Sequence, residues 1–227
     1  MSLLTPQEKK KSYINVRTKP TIAYVVTVPE GTPESEKREY KTQDGDTGVK
    51  YELAYKEING VVKNISLYEG KWGENLHIEI LNNEDKTECV LSLGVGTSYG
   101  EFVMKRLLNL DFNEPVKFSS YQDFTSKEGK EVSGGINVYQ NGVKIENYYW
   151  DKEKKKPLHG YPEPQGDTDD YATEDWKIFF LQARKFLVGE TKKLIAEKFI
   201  ADKFPEQGEE KVEYPDEDSA NAGAGAF

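Results

Sequence analysis

The sequence predicts a mainly β protein with helical additions. Three observations carry this. From about Lys50 to Trp150 the chain is a run of short segments in which apolar and polar residues alternate, separated by turn residues. One interval, Thr97–Leu110, breaks that rhythm with apolar residues at helical spacing. A long apolar stripe from Thr173 to Phe204 then follows a polar linker rich in proline and glycine.

Taken in order, TIAYVVTV (Thr21–Val28) is β-branched and aromatic, and reads as a strand. The stretch PEGTPESEKREYKTQDGDTG after it is rich in charge and turn residues, and reads as a loop. KYELAYKEI (Lys50–Ile58) reads as a strand, and Asn59-Gly60 reads as the two-residue turn of a hairpin leading into Val61–Gly70. Asn75–Leu81 alternates Leu76, Ile78 and Ile80 against His77 and Glu79, and Glu88–Gly94 is a further strand. In Thr97–Leu110, Phe102, Val103, Leu107 and Leu110 predict a short helix. Strands resume at Pro115–Phe124, and Ile136 opens a last hairpin that turns at Asn141-Gly142 and ends at Trp150. In the long helix Thr173 is placed as the cap, with Glu174 and Asp175 in the first turn.

Strand, strand, strand, helix, strand, hairpin is the order of an OB-fold, a five-stranded Greek-key barrel. The expected organisation has five parts. An N-terminal extension with one strand covers 1–48, the OB-fold-like core 49–150 and a linker 151–172. A long helix packing on the core covers 173–205, and a disordered acidic tail 206–227. The strand at Lys50–Ile58 is an extra in this scheme.

Composition narrows the chemistry. With one cysteine, Cys89, no intrachain disulfide can form, and a reducing interior such as the cytoplasm is the expected setting. MSLLTPQEKKKSY lacks the apolar core of a secretory leader, and no apolar run is long enough to span a membrane. Two histidines far apart and one cysteine make a structural zinc site improbable, whereas a carboxylate-only magnesium site stays open among 40 acids. GVGTSYG (Gly94–Gly100) lacks both the Lys-Ser/Thr of a P-loop and the GxGxxG spacing, so it reads as a strand-to-helix turn. No cofactor is expected, and no enzyme activity.

The binding inventory is richer. Fourteen tyrosines exceed ten phenylalanines, and tyrosine is the ring that tolerates a half-wet surface. If one side of each strand fills the barrel, the other carries Tyr68 and Trp72 at the first turn, His77, then Lys117, Ser119 and Tyr121. Tyr139, Tyr149 and Trp150 belong to the last hairpin, and Lys56 and Lys63 stand among the rings. Rings that stack on bases beside cations that meet phosphates are what single-stranded nucleic acid requires. The bland alternative is half-buried tyrosine packing and a solvated lysine surface.

Charge is uneven. The net charge is −9, but from Glu206 onward there are seven acids and one base, which leaves 33 acids and 30 bases, or −3, before that point. The acids Asp216, Glu217 and Asp218 precede a Gly/Ala spacer and Phe227. Such a segment can mimic nucleic acid, competing for a basic groove at high effective concentration, and can offer a ring and acids to a partner. The alternative is a solubilising disordered tail.

By element order over Val49–Trp150, and by the composition of Glu206–Phe227 ending PDEDSANAGAGAF, the chain resembles phage-type single-stranded DNA-binding proteins. The Gly/Ala spacer and the long helix depart from the general pattern of that class. The resemblance implies sequence-independent coating of single-stranded DNA in replication or recombination, and recruitment of replication or recombination proteins through the tail residues Asp216, Glu217, Asp218 and Phe227. It places the protein in the host cytoplasm, with self-association left open. Two other readings stand beside it: an assembly module without nucleic-acid affinity, and a carboxylate-dependent nuclease.

Overall fold

The computed structural model describes residues 11–17, 22–41, 45, 47–70, 73–83, 85–123 and 133–200. The protein is mainly β, with one large sheet and a long helix near the end of the described chain. The first strands are β1 (Ser12–Arg17), β2 (Ala23–Val28), β3 (Glu36–Lys41) and β4 (Thr47–Tyr55). Then come β5 (Glu57–Gly70), β6 (Gly73–Leu81) and β7 (Glu88–Gly94). Helix α1 (Ser98–Met104) separates β7 from β8 (Val116–Asp123), β9 (Ser133–Gln140) and β10 (Val143–Lys144). The order in the sheet is β10-β9-β8-β5-β6-β7-β1-β2-β4-β3. A small hairpin of β11 (Trp150–Asp151) and β12 (Lys156–Pro157) precedes helix α2 (Thr173–Ile195).

β5 organises the fold. Its first part, Glu57–Gly60, pairs with β8, and its second part, Val61–Gly70, pairs with β6. A bulge at Val62/Asn64 marks the transition. An extra residue there bends the strand and flips the faces. Val62 and Ile65, which strict alternation would set on opposite sides, are therefore both buried.

Asn59-Gly60, expected as a hairpin turn, lies inside this strand. A Cβ on Gly60 would stand 2.4 Å from the carbonyl oxygen of Leu81, so glycine there answers a close backbone approach rather than a turn. Gly60→Ala is expected to cost about 2–3 kcal/mol and to lower the thermal midpoint by about 5–10 °C, read by calorimetry. Asn141-Gly142 is the turn the same dipeptide predicts: its φ angles are 52° and 76°, the left-handed pair that joins β9 to β10.

The strand at Lys50–Ile58 belongs elsewhere than expected. As β4 it pairs with β2 and β3, not with β5. β3 lies within the stretch read as a loop. Its sequence EKREYK is almost wholly charged, which suits an edge strand paired on one side only. β1, also unexpected, runs parallel to β7 from Cys89 to Ser92 and antiparallel to β2. The described part of the first 48 residues thus contributes β1, β2 and β3 to the main sheet, and Ile14 and Tyr24 enter the core.

The inner faces of β5–β9 share one hydrophobic core: Ile65, Leu76, Ile78, Leu91, Leu93, Phe118, Ile136 and Val138 are almost wholly buried. Val103 and Met104 of α1, and Leu187 and Leu194 of α2, join it. β9, β8, β5, β6 and β7 are consecutive neighbours in the sheet, but no ladder joins β7 to β9 among the described residues, so the expected five-stranded barrel is not closed. β1 occupies the edge of β7 instead, and α1 packs against both β7 and β9.

α2 begins as expected, but its cap is different. The backbone N–H of Ala172 donates to the Asp175 carboxylate at 2.9 Å, and Thr173 makes no cap. No helix among the described residues is long and apolar enough to cross a membrane.

Candidate nucleic-acid interface

The sheet carries a row of rings on the outer side of β5, β6 and β1. His77 stacks on Tyr68, with centroids 5.4 Å apart and planes 13° apart. Tyr13 meets the other side of His77 edge-on, at 5.8 Å and 67°. The geometry follows from register. His77 lies opposite Ser66 of β5 and Ser92 of β7, and Ser92 lies opposite Asn15 of β1. Serine on the intervening strand leaves room for the two larger rings to meet across it. Tyr13 and Tyr68 are 55% and 58% exposed, so each offers a free face to solvent.

The neighbours on this side are polar. Asn64 donates to Glu79 at 3.5 Å, and the Lys11 ammonium pairs with the same carboxylate at 2.6 Å. Lys63, at the bulge of β5, is exposed. Partial burial lowers the pKa of His77, against a smaller opposing pull from Glu79, which favours the neutral imidazole. A neutral ring is the form that stacks without the cost of desolvating a charge.

A second group stands on β8 and β9. Lys117 and Tyr139 are direct partners in the ladder, and the ammonium lies 5.2 Å from the ring centroid. Lys117 also pairs with Glu57 at 3.4 Å, which neutralises part of its charge. Tyr121 lies over Gly135, whose missing side chain makes room for the ring. Lys56 is exposed in the link between β4 and β5.

Not every residue expected at the interface is there. Tyr149 is 2% exposed. Its ring is enclosed by Tyr148, Tyr161 and Phe186, and burial raises its pKa far above the usual phenol value. It offers no face to a base and leaves the candidate set. Trp150, next to it, is 41% exposed, but it stands on the β11–β12 hairpin beside the α2 side of the core rather than with the ring row. Arg106 is buried: it donates to the carbonyls of Phe102 and Ile145, so its role is structural. Trp72 lies outside the described residues, as do Asp216, Glu217, Asp218 and Phe227.

Tyr13 is the site residue that sequence reasoning missed. Its signal was the alternation in SYINVR, where Ile14 and Val16 face one way and Tyr13 and Asn15 the other. Six residues carry too few alternations to place such a segment in a sheet.

Gly94–Gly100 is a structural turn. The Thr97 hydroxyl accepts from the N–H of Gly100 and donates to the carbonyl of Gly94. A Cβ on Gly100 would meet that same carbonyl at 2.3 Å. The glycines are therefore explained by packing, without a phosphate.

Comparison with known protein families, with curated proteins and with solved structures finds no match to this chain.

Proposed function

We propose that this chain binds single-stranded DNA without sequence preference and without catalysis, on the outer side of β5, β6, β7 and β1. The observation that carries the reading is the Tyr68–His77–Tyr13 row, with its two half-exposed phenol rings. Successive bases can stack on such rings whatever their identity, because every base has a flat face. Asn64, Ser66, Asn75 and Ser92 surround the row with hydrogen-bonding groups suited to sugar and phosphate.

Topology supports the same location. We read β5–β6–β7–α1–β8–β9 as an OB-fold whose seam is opened by β1. Oligonucleotide-binding folds of this kind use the side of their second and third strands, which here are β6 and β7. In the sequence Trp72 falls between β5 and β6, and Lys127 and Lys130 fall between β8 and β9. The acidic stretch with Asp216, Glu217, Asp218 and Phe227 would compete with DNA for the face and recruit replication or recombination proteins when displaced. This reading fits a phage-type protein acting in the host cytoplasm.

Fluorescence anisotropy of a labelled oligo-dT tests the proposal, with the full chain and with a chain stopped at Pro205, at low and moderate salt. The expected result is binding that weakens steeply as salt rises, and tightens when the acidic stretch is removed. No binding by either form would overturn it.

A further inference from the structure

The amino-terminal half of α2 carries an apolar surface that is left open among the described residues. Burial in this helix falls on Ala183, Leu187, Thr191 and Leu194, from just before its midpoint onward. Before Ala183 the sequence WKIFFL is apolar on nearly every side. Ile178, Phe180 and Leu181 are 56%, 50% and 48% exposed. Trp176, Phe179 and Phe180 touch one another and extend the core stripe beyond the body of the sheet. A helix segment that is apolar all round is normally a buried one.

The side opposite the core stripe has a further property. Glu174, Ile178, Leu181 and Lys185 follow at intervals of four, three and four residues, so they fall in one line about 16 Å long. The line runs acid, apolar, apolar, base. Read from the other end it is its own complement. If a second identical helix is laid against it head to tail about a two-fold axis, Ile178 meets Leu181, and Glu174 meets Lys185, twice over. A two-fold contact requires this kind of self-complementarity.

We propose that this line is a homodimer contact, in which the α2 helices of two copies pair antiparallel through Ile178 and Leu181, with Glu174 of each copy facing Lys185 of the other. Charge complementarity selects a second copy over an unrelated partner. It also fixes the direction: a parallel pair would set Glu174 against Glu174 and Lys185 against Lys185. Glu174 now contacts Lys177 of its own helix at 3.6 Å, a surface pair of small energetic weight that the intermolecular contact can replace. The contact is short, so the dimer is weak and concentration-dependent. It is separate from the ring row, and does not rest on the nucleic-acid reading.

Sedimentation velocity over a concentration series tests it with the full chain and single substitutions. Wild type is expected to dimerise reversibly. Glu174→Lys alone and Lys185→Glu alone are each expected to weaken the dimer about tenfold or more, because like charges then face each other at two places. Mixing those two variants is expected to restore dimer, since each mixed pair is again acid against base. Leu181→Glu is expected to give monomer with unchanged helical circular dichroism. A wild type that stays monomeric would overturn the proposal. So would single variants that dimerise as well as wild type, or a mixture that gains nothing over either variant alone.

Discussion

Replacing Tyr13 and Tyr68 together by alanine is expected to weaken oligo-dT binding by about 30-fold or more, with the thermal midpoint almost unchanged. Base stacking on an aromatic ring contributes about 1–3 kcal/mol per base, so losing two platforms removes at least about 2 kcal/mol. Stability is spared because both rings stand more than half in solvent, and an exposed cross-strand pair contributes only about 0.2–1 kcal/mol. His77 would keep its place in the ladder between Ser66 and Ser92, so the face stays ordered while its stacking surface goes. Tyr121→Ala with Trp150→Ala is the comparison, since neither ring belongs to the row. Its expected loss is smaller, and equal losses in the two double variants would mean that binding is spread over the surface rather than held by the row. Titration by anisotropy, with calorimetry beside it, reads both quantities.

The second large effect concerns the fold that holds the row. Glu52 has no exposed surface, and it sits among three cations. Its carboxylate lies 3.4 Å from Arg17, 3.6 Å from Arg38, and in closer contact with Lys50. Arg17 is itself almost wholly buried and holds Glu36 at 2.8 Å. The cluster ties β1, β3 and β4 together, and so fixes the strand that carries Tyr13. Burial by itself would raise the pKa of Glu52, but the Lys50 hydrogen bond and the charges of Lys50, Arg38 and Arg17 outweigh it and hold the pKa below the usual carboxylate value.

Glu52→Ala leaves Arg17 buried without that partner. Breaking a buried pair in this way costs about 3–5 kcal/mol. Glu36→Ala, on the exposed side of the same cluster, is expected to stay within about 0.5 kcal/mol. The pH dependence has a definite sign. Because the folded pKa lies below the unfolded one, the stabilisation is complete above about pH 4.5 and is lost as pH falls through the folded value. Urea denaturation of wild type and Glu52→Ala at neutral pH and below pH 4 checks this: the difference between the two proteins is expected to narrow in acid. A difference that is constant with pH would show that the charge of Glu52 does not carry the effect.

Much of the fold was legible because the strands of the core are half-buried and long enough to alternate. Leu76, Ile78 and Ile80 against His77 and Glu79 placed β6 correctly, and with it the central ring of the row. What failed did so for local physical reasons. The charged strand β3 has no apolar side to read, because it pairs only at the sheet edge. Asn59-Gly60 and Asn141-Gly142 are the same dipeptide, but only the second takes positive φ; the first is set by the approach of Leu81, a contact distant in sequence. The bulge at Val62/Asn64 breaks strict alternation, and no residue type announces it.

Of the candidate residues, Tyr68, His77 and Lys117 came from alternation and Tyr139 from its place on the last hairpin, and the structure groups these four in two pairs. Tyr149 could not be told from its neighbours in NYYW by type. Packing against Tyr148, Tyr161 and, far along the chain, Phe186 buries it while Trp150 stays exposed. Tyr13 was missed because it joins the row through a parallel pairing of β1 with β7, and the partners are more than seventy residues apart.

The most direct measurement is photocrosslinking of an iodouracil-substituted oligo-dT to the full chain, with the crosslinked peptides mapped. The expected result is attachment at Tyr13, Tyr68 or His77. Crosslinks confined to α2 and the β11–β12 hairpin, or bound oligonucleotide with none in β1, β5 or β6, would contradict the assignment of the nucleic-acid interface to the ring row.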